Sequence, residues 1–134
     1  MQLLDTGKCI VCGKNNPHGF QLTLSVDREK LTAYTTVTIP ERFLGWEHFI
    51  HGGVVSMLLD EAMAYAAMAT GHYCVTAEMK VRFKRPVVPN ITLDLFGEVT
   101  TVKGRIIETR ATLSHAGTLL AEAEGRMVIP REEP

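Results

Sequence analysis

Only three of the 134 residues are cysteine, at positions 9, 12 and 74. An odd count at uneven spacing does not make a disulfide framework, and a reducing cytoplasm is the simplest compartment for such a chain. Met1 to Lys8 lacks the apolar core of an export signal. Charge of one sign is also missing: 14 Lys and Arg stand against 15 Asp and Glu. That balance gives no reason to expect a nucleic acid partner. There are no repeats, low-complexity stretches or composition shifts, so residues 1–134 read as one domain. Long hydrophobic runs are absent apart from His51 to Thr70, which has about the length of a membrane span. Asp60 and Glu61 sit at its middle, and a central Asp costs roughly 2.5–3.5 kcal/mol on insertion scales. The run is therefore expected to be a helix buried inside a soluble protein.

The remaining chain is patterned by turn residues and alternation. Cys9 to Gly19, dense in Gly, Asn, Pro and Cys, reads as loop. Phe20 to Val26 roughly alternates and predicts a strand; Asp27 to Lys30 predicts a turn, and Leu31 to Ile39 a second strand ended by Pro40. Glu41 to Ile50 is irregular. The helix is expected from His51-Gly52-Gly53 to near Gly71 and is apolar almost all round, so it must be enclosed. Val75 to Phe83 alternates most clearly, with Thr76, Glu78, Lys80 and Arg82 on the polar face. Pro86 and Pro89 interrupt the ladder. Ile91 to Thr101, Arg105 to Ser114 and Thr118 to Ile129 predict three more strands, hinged at Lys103-Gly104 and Ala116-Gly117. Two strands, one long helix and four strands predict an α+β fold. It is a curved antiparallel sheet of about six strands wrapped around one buried helix, the hotdog architecture. Ala62, Ala64, Ala66, Ala67 and Ala69 would let sheet and helix approach closely.

Asp60 is the first candidate for chemistry. A carboxylate in an apolar helix needs a partner or a proton. It can serve as a general base or attack an acyl carbon as a nucleophile, or it can be a structural Asp that satisfies a backbone group. Glu61 points about 100° away round the helix and reads as structural or interfacial. His51-Gly52-Gly53 is the second candidate. Glycines at a helix start leave N–H groups approachable at the positive end of the dipole, where an oxyanion is stabilised, or they simply make a tight turn. Nine residues separate His51 from Asp60, roughly 13 Å along the axis and on nearly opposite faces. If both act on one carbonyl, they come from different subunits, and a two-fold dimer supplies that pairing twice.

The run His51-Gly52-Gly53-Val54-Val55-Ser56-Met57-Leu58-Leu59-Asp60-Glu61-Ala62 resembles the signature of hotdog acyl-CoA thioesterases of the phenylacetate-pathway type, in the 4-hydroxybenzoyl-CoA thioesterase superfamily. Cys9-Ile10-Val11-Cys12-Gly13 with Asn16-Pro17-His18-Gly19-Phe20 is similar to the N-terminus of one branch. Val75 to Pro86 resembles the next strand, ending in Arg85-Pro86. The resemblance implies hydrolysis of acyl-CoA to a carboxylic acid and CoA, with Asp60 as general base or nucleophile. The Gly52 amide would polarise the thioester carbonyl, Gly53 complete the turn, and His51 orient substrate or loop. Thr76 occupies a position where some relatives place a water-positioning hydroxyl. The Asn or Gln that some relatives carry shortly before His-Gly-Gly is missing here. Self-association as a dimer or tetramer is implied, with small-molecule acyl-CoA as partner and no cofactor beyond the CoA of the substrate.

Around this motif, Trp46, Phe49 and Met57, with Phe43, Met63 and Tyr65, are candidates for the acyl pocket. Arg82, Lys84 and Arg85, with Lys103 and Arg105, are candidates for holding CoA phosphates, although strand ends carry such residues routinely. Cys9 and Cys12 make half of a structural zinc site without a second pair, so a packed loop turn is expected and no metal is assigned. Two other functions fit the fold: a non-catalytic acyl-CoA-binding protein, and a lyase of the enoyl-CoA hydratase kind. The second usually wants an Asp and a His in one unit, which the His51 to Asp60 geometry disfavours.

Overall fold

The computed structural model describes residues 2–131. Its elements are β1 (Ser25–Asp27), β2 (Thr32–Thr38), a 3-10 turn (Glu41–Phe43), α1 (Gly52–Met68), β3 (Val75–Phe83), β4 (Thr92–Lys103), β5 (Ile106–His115) and β6 (Thr118–Val128). All six strands form one antiparallel sheet in the order β1-β2-β4-β5-β6-β3. The sheet holds α1 against its inner face, as the hotdog architecture requires. The core is one cluster in which Leu58, Leu59, Ala62 and Met63 of the helix meet Leu93 and Leu95 of β4, Ile107 and Leu113 of β5, and Met127 of β6.

The closest approach is made possible by glycine. A Cβ on Gly97 of β4 would lie 2.3 Å from the Ala62 carbonyl oxygen, so only hydrogen fits between strand and helix there. Ala62, Ala66, Ala67 and Ala69 are buried, as expected of residues that let the sheet close in. Ala64 is not part of that face; it is half-buried and borders a cavity on the far flank of the helix. The expectation of a fully enclosed helix therefore holds for one face only. Val54, Met57, Tyr65 and Met68 remain half-buried within the chain.

The first strand is much shorter than Phe20 to Val26. Gln21 adopts φ 51, which breaks the extended ladder. The amides of Phe20 and Leu22 donate to Ile10 and Val11 carbonyls, tying this segment to the cysteine loop instead of to the sheet. Asp27 makes the expected turn by accepting the Glu29 and Lys30 amides on its Oδ1. The two hairpins close at the anticipated places, with Gly104, Ala116 and Gly117 all at positive φ, as tight β-turns demand. No helix among the described residues is long and apolar enough to cross a membrane.

Candidate active site

At the start of α1, His51 is the N-cap. Its Nδ1 accepts the Gly53 amide at 2.8 Å, and its carbonyl takes the amides of Val54 and Val55. The loop before it is pinned by the His51 amide donating to Phe43 and by Gly45, where a Cβ would come within 3.0 Å of the His51 Cα. His51 thus orients the helix tip, and Gly53 completes the cap. The Gly52 amide is left over: among the described residues no acceptor takes it. It is an N-terminal donor with the helix dipole behind it. The Phe83 ring stands beside it, 3.4 Å from where a Cβ would be.

Asp60 lies two turns further along, half-buried, on the helix flank that faces β3. The Thr76 hydroxyl donates to its Oδ1 at 2.6 Å. This contact corrects the sequence pattern, which placed Thr76 on the outward face with Glu78. The register of β3 against β6 slips between these two residues. Ala77 is the extra residue of a bulge, so Thr76 pairs with the core residue Met127 and Glu78 with Arg126. A bulge re-aims a side chain; here it turns the Thr76 hydroxyl inward, 3.3 Å from the Met127 sulfur. Cys74 is close by. Burial, and then the charge of Asp60, push its thiol up to about 11.

The other candidate residues divide. Trp46 is 84% exposed and Phe49 40% exposed, both in the loop leading to the Gly52 tip, and Met57 is half-buried on α1. Phe83 at the end of β3 is 57% exposed and stands beside Gly52 at the tip, a residue that alternation alone placed in the sheet's apolar face. Met63 is fully buried in the core. Phe43 stacks on Phe20 at 4.6 Å and belongs to the packing of the N-terminal segment. Arg82 and Lys84 face outward and share Glu122 Oε1 at 3.9 and 3.8 Å. Arg105 donates to the Ile129 carbonyl. Arg85 and Lys103 are exposed and have no ion-pair partner among the described residues.

A cavity of about 620 Å³ opens on the Glu61 side of α1, bordered by Cys9, Cys12, Glu61, Tyr65 and Cys74 and not by Asp60. Glu61, which the sequence marks as structural or interfacial, meets the cysteine loop there: Cys9 Sγ lies 3.7 Å from its Oε1. No local pattern signals a contact spanning 52 residues. Two adjacent carboxylates on one helix therefore serve two different surroundings, as their 100° separation requires.

A family model described as the thioesterase superfamily matches residues 47–122, from the loop before α1 into β6. The chain belongs to the thioesterase superfamily. The resemblance drawn from His51 to Ala62 thus stands, and the cysteine loop lies outside the matched span. A crystallised thioesterase superfamily protein superposes with a TM-score of 0.83 at 28% identity; the alignment covers 91% of this chain and 60% of that one. E. coli PaaI, from the phenylacetic acid degradation operon, superposes at 0.72 with 22% identity, covering 76% and 75% of the two chains. Protein smu.793 of Streptococcus mutans UA159, solved bound to acetyl CoA, gives 0.75 at 18% identity over 84% of this chain and 93% of that one. Among curated proteins, the 3-hydroxyacyl-[acyl-carrier-protein] dehydratase FabZ of Myxococcus xanthus strain DK1622 is 32% identical over 126 residues. That match covers 81% of this superfamily member and 82% of the dehydratase.

Proposed function

We propose that this thioesterase-superfamily protein hydrolyses acyl-CoA thioesters, giving a carboxylic acid and free CoA. The observation that carries the reading is the Asp60 carboxylate held by Thr76 at 2.6 Å, combined with an unclaimed Gly52 amide at the helix tip. Asp60 either takes a proton from the attacking water or attacks the carbonyl itself to form a mixed anhydride, which water then opens. The Gly52 amide donates to the carbonyl oxygen as it becomes an oxyanion. Eight residues separate the two groups, roughly 12 Å along the helix, so the amide comes from a second chain. The nine residues of β3 form an uncovered edge of the sheet, which suits pairing with a copy of itself. CoA or acetyl-CoA in the structures of relatives supports the same ligand class here.

The dehydratase relative favours a second reading, elimination of water from a 3-hydroxyacyl thioester. His51 spends Nδ1 on the Gly53 amide, which leaves Nε2 as its only free ring atom. The deciding experiment assays the protein and Asp60→Asn on aryl, short and medium acyl-CoAs and on a 3-hydroxyacyl-CoA. Hydrolysis by the wild type, reduced at least about 100-fold in Asp60→Asn with an unchanged melting curve, is the expected result. Wild-type turnover by the variant refutes the role of Asp60. Dehydration without hydrolysis substitutes the lyase, and binding without turnover the acyl-CoA-binding protein. Single turnover in ¹⁸O-water tests the nucleophilic route: label in the Asp60 carboxyl group requires an anhydride opened by water at the Asp60 carbonyl carbon, whereas the general-base route labels the product acid alone.

A further inference from the structure

The cysteine loop meets α1 at Glu61, away from the contact between Asp60 and Thr76. A Cβ on Gly13 would strike the Cys9 amide nitrogen at 2.4 Å, so the Cys-x-x-Cys-Gly turn closes only with glycine. Within the turn the amides of Val11 and Cys12 point at the Cys9 sulfur, at 3.4 and 3.5 Å. The turn is fastened to the body by the buried Val11 side chain and by the Phe20 and Leu22 amides, and so is held against the helix.

What it is held against is Glu61. The two sulfurs and a Glu61 oxygen all lie within 4.8 Å of one another. Cys9 Sγ stands 3.7 and 3.9 Å from the two carboxylate oxygens, long for a hydrogen bond. Around a tetrahedral zinc, with Zn–S near 2.3 Å and Zn–O near 2.0–2.2 Å, the sulfur–oxygen edge is roughly 3.6 Å. No basic side chain pairs with Glu61 among the described residues. Two thiols and a carboxyl thus share one spot with no ion pair among the described residues.

We propose that Cys9, Cys12 and Glu61 form a zinc site whose fourth position opens onto the 620 Å³ cavity. Both thiols lose their protons on loading, and the charge of the cation replaces the missing basic partner. Burial and the neighbouring Glu61 carboxyl push the metal-free Cys12 thiol up to about 12, and burial raises Glu61 as well. The Tyr65 hydroxyl, which interacts with the Cys12 sulfur, orients that ligand from outside. The metal clamps the N-terminal loop onto α1 one residue from Asp60.

The test is metal content and spectroscopy, independent of any thioesterase assay. Protein from zinc-supplemented cells, purified in a thiol reductant without chelator, is expected to hold about one zinc per chain. Cobalt(II) titration of the metal-free wild type should give a thiolate-to-cobalt charge-transfer band and the intense visible bands of a four-coordinate ion. The double variant Cys9→Ser/Cys12→Ser should lose both. Glu61→Gln, which keeps the shape of the side chain, should bind zinc at least about tenfold more weakly while keeping the wild-type circular dichroism spectrum. A wild type that carries no zinc and gives no charge-transfer band on cobalt titration overturns the proposal. Full metal retention in the double variant, or a Cys9–Cys12 disulfide in the reduced preparation, does the same. Failure here leaves the Asp60 reading intact, because hydrolysis is scored separately.

Discussion

Cys74 reports on Asp60 without any substrate. Its thiol is raised first by burial and then by the negative charge of Asp60, to about 11. At pH 8 it is therefore almost wholly protonated and should react slowly with iodoacetamide, since the thiolate is the nucleophile. Replacing Asp60 by Asn removes a charge that opposes ionisation, so the thiol pKa falls and the alkylation rate at fixed pH rises, by a few-fold. Peptide mass spectrometry separates Cys74 from Cys9 and Cys12. An unchanged rate means that position 60 carries no charge near that thiol. Thr76 is the second residue to test, since its hydroxyl fixes one carboxylate oxygen at 2.6 Å. Thr76→Val should lower kcat about tenfold with little change in KM, and Thr76→Ser should restore most of it. Asp60 was legible from its cost in an apolar helix, and His51-Gly52-Gly53 from its place at the helix start. The inward turn of Thr76 was not legible, because the bulge at Ala77 shifts parity without leaving a mark in the alternation.

At the scale of elements, helix and sheet are matched by a single missing methyl group. Gly97 allows β4 to touch the helix backbone at Ala62. Gly97→Ala must push strand or helix aside and should cost about 2–3 kcal/mol in urea denaturation at an unchanged m-value. A loss below about 0.5 kcal/mol would mean that the two elements slide apart freely. The helix was readable as one long run, apolar almost all round and entered by two glycines, and β3 by its period of two residues. β1 was not, because Phe20 and Leu22 alternate as a strand does while their amides serve the cysteine loop. The link between Glu61 and that loop was illegible for the same reason: it is made by tertiary contact.

For the whole molecule, the division of labour between Asp60 and Gly52 dictates how mutant chains behave when mixed. Gly52 is the first helical residue, a position where proline fits and where the lost N–H breaks no helical bond. His51 before it is already extended, with ψ 133, as a residue preceding proline must be. Gly52→Pro is thus a clean deletion of the proposed oxyanion donor, and Asp60→Asn one of the proposed carboxylate. Each variant alone should be nearly inactive. In a two-fold dimer with shared sites, a mixed dimer pairs the intact Asp60 of one chain with the intact Gly52 of the other in one of its two sites. The remaining site carries both defects. Random association makes half the dimers mixed, so co-expression in equal amounts should recover about a quarter of wild-type activity per chain. Sites confined to single chains would recover none, since every chain in the mixture lacks one group or the other. A protein that sediments only as a monomer would rule out the exposed β3 edge as the route by which one helix tip reaches the next chain's carboxylate.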